Sequence, residues 1–433
     1  MDHYDHIKNE DPAVYDLIEG EEKRQREGLE LIPSENYVSR AVREAMSSGL
    51  TNKYAEGYPG KRYYGGQEFT DGIESLAIER AKALFGADHA NVQPLGGAAA
   101  NIAAYFAWLE PGDTVLGMDL AHGGHLTHGS PVTYMAKLYN FVRYGMKDPE
   151  TGEIDYEEMR AVAKRERPKI VLAGFSGYPR ELDWKAIADI AREVDAVAMA
   201  DVAHIAGLIA GGAAKNPFDY GFHIVTTTTH KTLRGPRGGM ILSKGTVSTP
   251  LKAPEKTIEN LPTLIDRSVF PGFQGGPHMH QIAAKALMLH EAAEPAFKDY
   301  AHQVVRNAKA MAEVFTEGGV RLIAGGTDNH LILADVFGSL GISGGEAETL
   351  LDAAGITLNK NSIANDARKP FDPSGIRFGT PAMTTRGFKE EDSRAVARLM
   401  LDVLRKRDEA TVAQAREEVR ALAEAHPIPD SFV

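Results

Sequence analysis

Residues 225–239 read Val225-Thr226-Thr227-Thr228-Thr229-His230-Lys231-Thr232-Leu233-Arg234-Gly235-Pro236-Arg237-Gly238-Gly239, and they guide the interpretation of the whole chain. β-Branched residues favour strands, so the valine and the four threonines predict a buried strand. The glycines, proline and arginines that follow predict a turn. A strand that ends in this way carries Lys231 into a loop, where its amine can react with an aldehyde.

A carboxylate, Asp201, follows an earlier apolar run in the same way. Residues 196–200 predict a buried strand that ends at Asp201. A lysine that forms a Schiff base and a carboxylate that pairs with a pyridinium nitrogen are what pyridoxal 5'-phosphate (PLP) chemistry requires. Each residue alone has an ordinary explanation, as a surface lysine or as an aspartate that caps a helix. Together they predict a PLP site.

Composition narrows the class of protein. The chain has 433 residues, 43% of them hydrophobic, and a formal net charge of −12. The charge argues against non-specific binding to nucleic acid or to an anionic membrane. The sequence contains no cysteine, which excludes disulfides and thiolate chemistry. We find neither a secretory signal nor an apolar stretch long enough for a membrane span, and therefore expect a cytoplasmic protein.

Helix-like and strand-like segments alternate from about residue 70 to residue 245. We predict strands at Thr114–Met118, Ile170–Ala173, Val197–Ala200 and Ile224–Thr228, and helices at 72–85, 98–109 and 184–194. This alternation predicts an α/β fold with a large, mostly parallel sheet, in which ligands bind at the carboxyl ends of the strands. Helices over 277–316, a strand at 329–334 and one long charged helix over 388–424 predict a smaller α/β part. We therefore expect an N-terminal arm (1–50), a large PLP-binding domain (51–285) and a C-terminal small domain (286–433).

Two glycine-rich segments are candidates for phosphate contact. Gly96, Gly97 and Ala98 open the helix predicted at 98–109, and small residues at a helix N-terminus favour phosphate binding. A Gly-Gly pair alone is more often an ordinary turn. The second segment, 271–277, is open to the same two interpretations.

Three histidines, His122, His125 and His128, are spaced by three residues. That spacing brings side chains together only in a helix, and Gly123-Gly124 argues against a regular helix. Asp119 is the only carboxylate nearby in the sequence. We therefore predict no metal site here, and instead an imidazole that stacks on, or hydrogen-bonds to, a flat cofactor.

Two further histidines lie beside the predicted cofactor residues. His204 follows Asp201 by three positions and is placed to reach the phenolic oxygen of the cofactor. His230 precedes Lys231 and points to the opposite side of the strand, so that packing and cofactor contact both remain open for it.

Taken together, these segments resemble serine hydroxymethyltransferase, a family of PLP-dependent transferases of fold type I (aspartate aminotransferase-like). The likeness covers nearly the whole chain, and the sequence Thr-Thr-Thr-Thr-His-Lys is its most specific part. The other matching segments are 31–36, 54–66, 125–129, 201–204, 272–276, 358–361 and 375–382.

The resemblance implies a role for each matching residue. Lys231 would hold PLP covalently, Asp201 would pair with its ring nitrogen, and His125 would stack on the ring. His204 and Ser176 would lie near the phenolic oxygen, while Arg377 and Ser34 would bind the substrate carboxylate. Glu56 would exchange a proton with the serine hydroxyl. The remaining contacts are implied for the pocket wall (Tyr54, Tyr63, Tyr64), the phosphate (Gly275, Gly276) and the folate (Leu120, Gly124, Leu126, Asn361).

The implied reaction is reversible transfer of the serine hydroxymethyl group to tetrahydrofolate, which gives glycine and 5,10-methylenetetrahydrofolate. In this family residues 54–64 and 272–276 would serve the active site of the neighbouring subunit. The resemblance therefore implies a homodimer with shared active sites, and leaves open whether dimers pair into a tetramer.

The chain departs from the family at the phosphate cup, and this keeps alternatives open. Where the family has Pro-His-Ser-Gly-Ser-Gln-Ala-Asn, residues 94–101 read Pro-Leu-Gly-Gly-Ala-Ala-Ala-Asn, so both serine hydroxyls are absent. Phe175, Gly177 and residues 133–136 also differ. The alternatives are a hydroxymethyltransferase for α-methylserine, a folate-independent aldolase for 3-hydroxy amino acids, and a non-catalytic paralogue that has lost its cofactor.

Overall fold

The computed structural model describes residues 4–245 and 256–432, so the ends of the predicted arm and small domain lie outside the described residues. A seven-stranded sheet forms its centre. Its strands are β1 (His89–Asn91), β2 (Thr114–Met118), β3 (Asn140–Tyr144), β4 (Ile170–Gly174), β5 (Val197–Asp201), β6 (Ile224–Thr228) and β7 (Gly239–Ser243).

The strand order in this sheet is β1-β7-β6-β5-β4-β2-β3. Pairing is parallel from β6 to β3, and only β7 runs antiparallel to its two neighbours. The predicted mostly parallel α/β sheet is confirmed. Since the carboxyl ends of β1, β2, β4, β5 and β6 lie at one edge, the loops that follow these strands meet there.

Helices cover both faces of the sheet. Successive residues of β4, such as Ile170 and Val171, belong to apolar cores on opposite faces of the sheet, because side chains alternate between the two faces along a strand. Within residues 4–245 and 256–432 the α-helices are Asp5–Glu10, Pro12–Glu27, Arg40–Met46, Glu68–Phe85, Gly97–Trp108, Met135–Leu138, Tyr156–Glu166, Trp184–Glu193, Ala206–Ala210, Leu261–Arg267, Met279–Ala293, Pro295–Glu317, Val336–Leu340, Gly344–Ala353, Pro381–Thr385, Glu390–Lys406 and Glu409–Ala425.

A second sheet and a third core lie in the C-terminal part of the chain. The strand order is Arg321–Leu322, Leu331–Asp335, Gly375–Gly379 and Asn359–Asn361, and all pairs are antiparallel. Short two-residue pairs join Leu29–Glu30 to Ile356–Thr357 and Gly57–Tyr58 to Lys61–Arg62, and a third pair joins Met146–Asp148 to Glu153–Ile154. The predicted domain boundary at 285/286 falls inside the helix Met279–Ala293, and the three-part division stays a prediction.

The single helix predicted over 388–424 is wrong. It is two helices, because Arg407 takes a left-handed conformation (φ 59°) and Asp408 caps the second helix by accepting the backbone N–H of Thr411 at 2.8 Å. Among the described residues, no helix is long and apolar enough to cross a bilayer.

Candidate active site

Three of the predicted site residues meet at the carboxyl edge of the large sheet. Asp201 is the last residue of β5 and pairs in register with Thr226 of β6. Lys231 lies three positions beyond the end of β6, and Ser176 two positions beyond the end of β4. Adjacent parallel strands therefore deliver the carboxylate, the amine and the hydroxyl to one place.

The Asp201 carboxylate is buried and well supplied with hydrogen-bond donors. Oδ2 accepts from Asn101 Nδ2 at 2.8 Å and lies 3.1 Å from His128 Nε2, and Oδ1 accepts the backbone N–H of Ala203 at 3.0 Å. Burial alone would raise the pKa of Asp201, but His128, His125 and Asn101 outweigh it and hold the pKa well below its usual range. The group is therefore ionised, with accepting capacity left for a protonated ring nitrogen.

The Lys231 amine is buried, and burial is the main cause of its lowered pKa. Burial lowers its pKa to about 8; the negative charge of Asp201 opposes this shift, and Arg377 and Arg237 add to it. Its backbone carbonyl accepts from Asn36 Nδ2 at 3.2 Å and from the backbone N–H of Arg234 at 3.1 Å. A lysine with this pKa supplies a substantial fraction of free amine near neutral pH, which imine formation requires.

We expect the capture of PLP by the cofactor-free protein to accelerate as pH rises through about 8. Below that pH the amine is protonated and unreactive, and above it the free amine predominates. In Asp201→Asn the midpoint should move to lower pH, because the charge that raises the Lys231 pKa is gone. Stopped-flow absorbance against pH measures both midpoints, with Asp219→Asn as an exposed control. A midpoint that stays in place or rises in Asp201→Asn would contradict this electrostatic account.

His125 and His204 lie close enough to Lys231 and Arg377 for the charges of those two side chains to lower the pKa of both rings. His125 Nδ1 accepts the backbone N–H of Thr127 at 3.2 Å, so Nε2 carries the ring hydrogen. His204 Nδ1 lies 3.2 Å from His330 Nε2, and the two rings stack with centroids 5.4 Å apart. Burial lowers the pKa of His125 to about 4 and that of His330 to about 3, and holds that of His204 well below its usual range. The rings of His125, His204 and His330 are therefore neutral near pH 7, and they lie near the charged groups of Lys231 and Arg377.

The three histidines of residues 122–128 do not form one cluster. His122 Nδ1 accepts the backbone N–H of Met146 at 3.0 Å. By contrast, one ring nitrogen each of His125 and His128 and one carboxylate oxygen of Asp201, all of which can bind a metal, lie within 4.8 Å of one another. A second carboxylate therefore lies near two of these histidines, because the fold brings Asp201, which is distant in sequence, to His125 and His128. The absence of a metal from this site stays a prediction.

Arg377 enters from the smaller sheet. Its Nε donates to Asn359 Oδ1 at 3.1 Å, and its Nη1 donates to the carbonyl of Ser176. Burial lowers the Arg377 pKa to about 10, which leaves it charged at neutral pH. Ser34 lies in a segment that runs from this strand to Lys231: Leu31 O accepts the N–H of Gly379, and Asn36 contacts the Lys231 carbonyl.

The predicted folate residues Gly124 and Asn361 lie beside the loop at Ser176 and Gly177, whose Ser176 carbonyl accepts from Arg377. Gly124 O accepts from Ser176 Oγ at 2.8 Å, and a Cβ on Gly177 would lie 3.8 Å from Asn361 Nδ2. Leu120 and Leu126 are about half exposed, with relative exposures of 46% and 48%.

The predicted phosphate cup is a helix N-terminus formed by backbone alone. The helix Gly97–Trp108 begins directly after Gly96, and no side chain caps it. A Cβ on Gly97 would lie 2.7 Å from Thr228 Cγ2, so this position needs glycine. The backbone N–H groups of the first turn are free to bind an anion, which fits the phosphate of PLP.

A second group of predicted site residues lies around the Glu56 carboxylate. It consists of Glu56, Tyr54, Tyr63, Tyr64, Gly275 and Gly276. The hydroxyls of Tyr54 and Tyr64 donate to the Glu56 carboxylate at 3.3 and 3.4 Å. Cβ atoms on Gly276 and Gly275 would meet the Tyr54 ring and Glu56 at 2.9 and 3.5 Å. Among the described hydrogen bonds, none links these side chains to Lys231, Asp201 or Arg377. The second group still touches the cup loop of the same chain, because Gln274 Oε1 accepts the Leu95 N–H at 3.1 Å and Gln274 Nε2 donates to the Gln93 carbonyl at 3.1 Å.

His230 directly precedes Lys231, and its predicted cofactor contact stays a prediction. Burial, with the charges of Arg237 and Lys231, lowers its pKa to about 3, and its Nδ1 is buried with no hydrogen-bond partner among the described residues. The predicted site residues do not include Asn101, His128, His330 and Asn359, whose contacts cross between elements. Three of them carried a signal, because Asn101, His128 and Asn359 lie in the segments 94–101, 125–129 and 358–361.

A buried amine, an ionised aspartate and an anion-binding helix N-terminus at this edge of an α/β sheet define a PLP-dependent enzyme of fold type I. The model of the family described as serine hydroxymethyltransferase matches residues 7–400. The chain belongs to the serine hydroxymethyltransferase family.

Proposed function

We propose that this chain binds PLP at Lys231 and transfers the hydroxymethyl group of serine to tetrahydrofolate. The observation that carries the proposal is the convergence of Lys231, Asp201 and Arg377 on one pocket in a chain of this family. The residues present fit the cofactor: an amine of lowered pKa, an ionised carboxylate for the ring nitrogen, and a free helix N-terminus for the phosphate.

When bound, PLP supplies an electron sink that lets the bond between Cα and Cβ of serine break. Arg377 binds the substrate carboxylate with its paired N–H groups, with Ser34 assisting, and this sets which bond at Cα faces the ring. Asn359 and the Ser176 carbonyl hold the guanidinium in place for that task. Asp201 would keep the ring nitrogen protonated, and His125 would lie against the ring.

We further propose that Glu56 moves the proton of the serine hydroxyl in the active site of a partner subunit. The rings of Tyr54, Tyr63 and Tyr64 beside Glu56 support this arrangement, because they are 50–72% exposed in the single chain. A homodimer would cover these rings and bring Glu56, Gly275 and Gly276 to the partner's pocket. Tetrahydrofolate would enter at Leu120, Gly124, Leu126 and Asn361.

Phe175 does not favour an altered substrate. It is buried and its ring packs against Tyr178, with centroids 5.7 Å apart, in the core of the large sheet. Turnover of serine, α-methylserine and allo-threonine by purified protein with PLP, with and without tetrahydrofolate, tests the proposal. A folate-dependent preference for serine is expected. Preference for α-methylserine, or cleavage independent of folate, would replace it by one of the two alternative enzymes. A protein that retains no PLP and shows no turnover would be the non-catalytic paralogue.

We expect hydroxyls restored to the cup to tighten PLP binding. A Cβ on Gly96 meets nothing within 4 Å, so Gly96→Ser is tolerated, and Ala98 is exposed. A hydrogen bond to a charged group contributes about 1.5–3 kcal/mol, so each serine should lower the Kd by roughly ten- to a hundredfold. Titration of cofactor-free protein measures this change. Gly97→Ser is the matched control, and it should weaken PLP binding because its Cβ would collide with Thr228. Equal effects of Gly96→Ser and Gly97→Ser on the Kd would contradict the account.

A further inference from the structure

Lys285 is a buried cation that the proposed reaction does not use. It lies in the helix Met279–Ala293 and is 2% exposed. Its Nζ donates to the carbonyls of Val92, Pro94 and Gly239 at 2.6, 3.0 and 2.9 Å. Among the described residues, no carboxylate lies within ion-pair distance of it. Burying an ammonium group without such a partner is costly, so the position calls for an explanation beyond packing.

The three contacts fit the protonated form of the side chain. An ammonium group has three hydrogens to donate, and three carbonyls accept them, whereas a neutral amine has two. Burial lowers the Lys285 pKa to about 7, and the negative charge of Glu74 opposes that shift. The carbonyl dipoles take the place of a counter-ion.

The accepting carbonyls belong to the two loops that would hold the cofactor at its opposite ends. Val92 and Pro94 precede the cup at Gly96, and Gly239 closes the loop that carries Lys231. The loops also touch directly: Pro94 O accepts the Gly239 N–H at 2.9 Å, and a Cβ on Gly239 would lie 2.5 Å from Gly96 O. Lys285 therefore fixes the cup against the lysine loop.

We propose that Lys285 is a positioning residue that holds loop 92–96 so that the first N–H groups of the helix Gly97–Trp108 face the phosphate of PLP. This inference rests on the proposed function. A cup without serine hydroxyls binds through backbone groups alone, and those groups are placed only as well as the loop that leads into them. Lys285 supplies that placement through the two loop carbonyls that it binds.

Comparison of PLP with pyridoxal, which lacks the phosphate, tests this role. Cofactor-free wild type, Lys285→Met and Lys285→Gln are titrated with each compound, and visible absorbance gives the Kd. In Lys285→Met the Kd of PLP should rise by about tenfold or more, while the Kd of pyridoxal stays within about twofold. Lys285→Gln keeps two donor hydrogens and should lie between. The exposed Lys298→Met is the control and should match wild type.

Equal weakening of both compounds would mean a general structural role, and an unchanged Kd for PLP would mean none; either result overturns the inference. If Lys285→Met does not fold, the same criteria are applied to Lys285→Gln. A wild-type protein that binds neither compound would overturn the proposed function itself. Failure of the Lys285 inference is seen only in the variants, whereas failure of the proposed function is seen already in the wild type.

Discussion

Replacement of Lys231 with alanine is expected to lower kcat/KM for glycine formation by at least about a thousandfold and to remove the visible absorbance of the bound cofactor. The loss is large because Lys285, the other buried lysine described near the site, cannot replace Lys231. Its three hydrogens are all donated to the carbonyls of Val92, Pro94 and Gly239. Absorbance spectra and steady-state rates of the two purified proteins measure both effects.

Lys244→Ala is the matched control for this experiment. Lys244 follows β7 directly, is exposed, and lies over the ring of Phe218 away from the pocket. It should keep both the absorbance and the rate. Full activity or a retained absorbance band in Lys231→Ala would contradict the assignment of the reactive amine.

Replacement of Arg377 with alanine should lower kcat/KM for serine by roughly a hundred- to ten-thousandfold, from the loss of two charge-assisted hydrogen bonds at about 1.5–3 kcal/mol each. Arg377→Lys should recover only part of it, since a lysine cannot present two parallel N–H groups to a carboxylate. KM should rise most, because the substrate carboxylate is bound in the ground state as well.

Rates at increasing serine concentration measure this change, and PLP absorbance checks that the cofactor remains bound. The exposed Arg398→Ala is the control and should behave as wild type. An Arg377→Lys enzyme with unchanged KM would show that the carboxylate is bound elsewhere. Arg377 would then be a structural link between the Ser176 loop and the smaller sheet.

Local patterns predicted the central part of the fold. The β-branched run before Lys231 and the apolar run before Asp201 are strands β6 and β5, because continuous apolar segments bounded by turns are typical of buried parallel strands. The two residues then meet because neighbouring parallel strands end at one edge. Fold class and the pairing of these two residues were therefore predictable.

Contacts between distant elements were not predictable in the same way. His128 reaches Asp201 across 73 positions, and Lys285 reaches Val92 across 193. No local periodicity encodes such contacts. The break at Arg407 was missed for another reason: charged residues continue a helical pattern on both sides of it, and the left-handed conformation of one arginine leaves little trace in composition.

The direct test of the central claim is glycine formation from serine by purified protein loaded with PLP, measured with and without tetrahydrofolate. We expect glycine and methylenetetrahydrofolate in equal amounts, with a rate that depends strongly on folate. Absence of glycine in a sample that shows the absorbance of bound PLP would contradict the account.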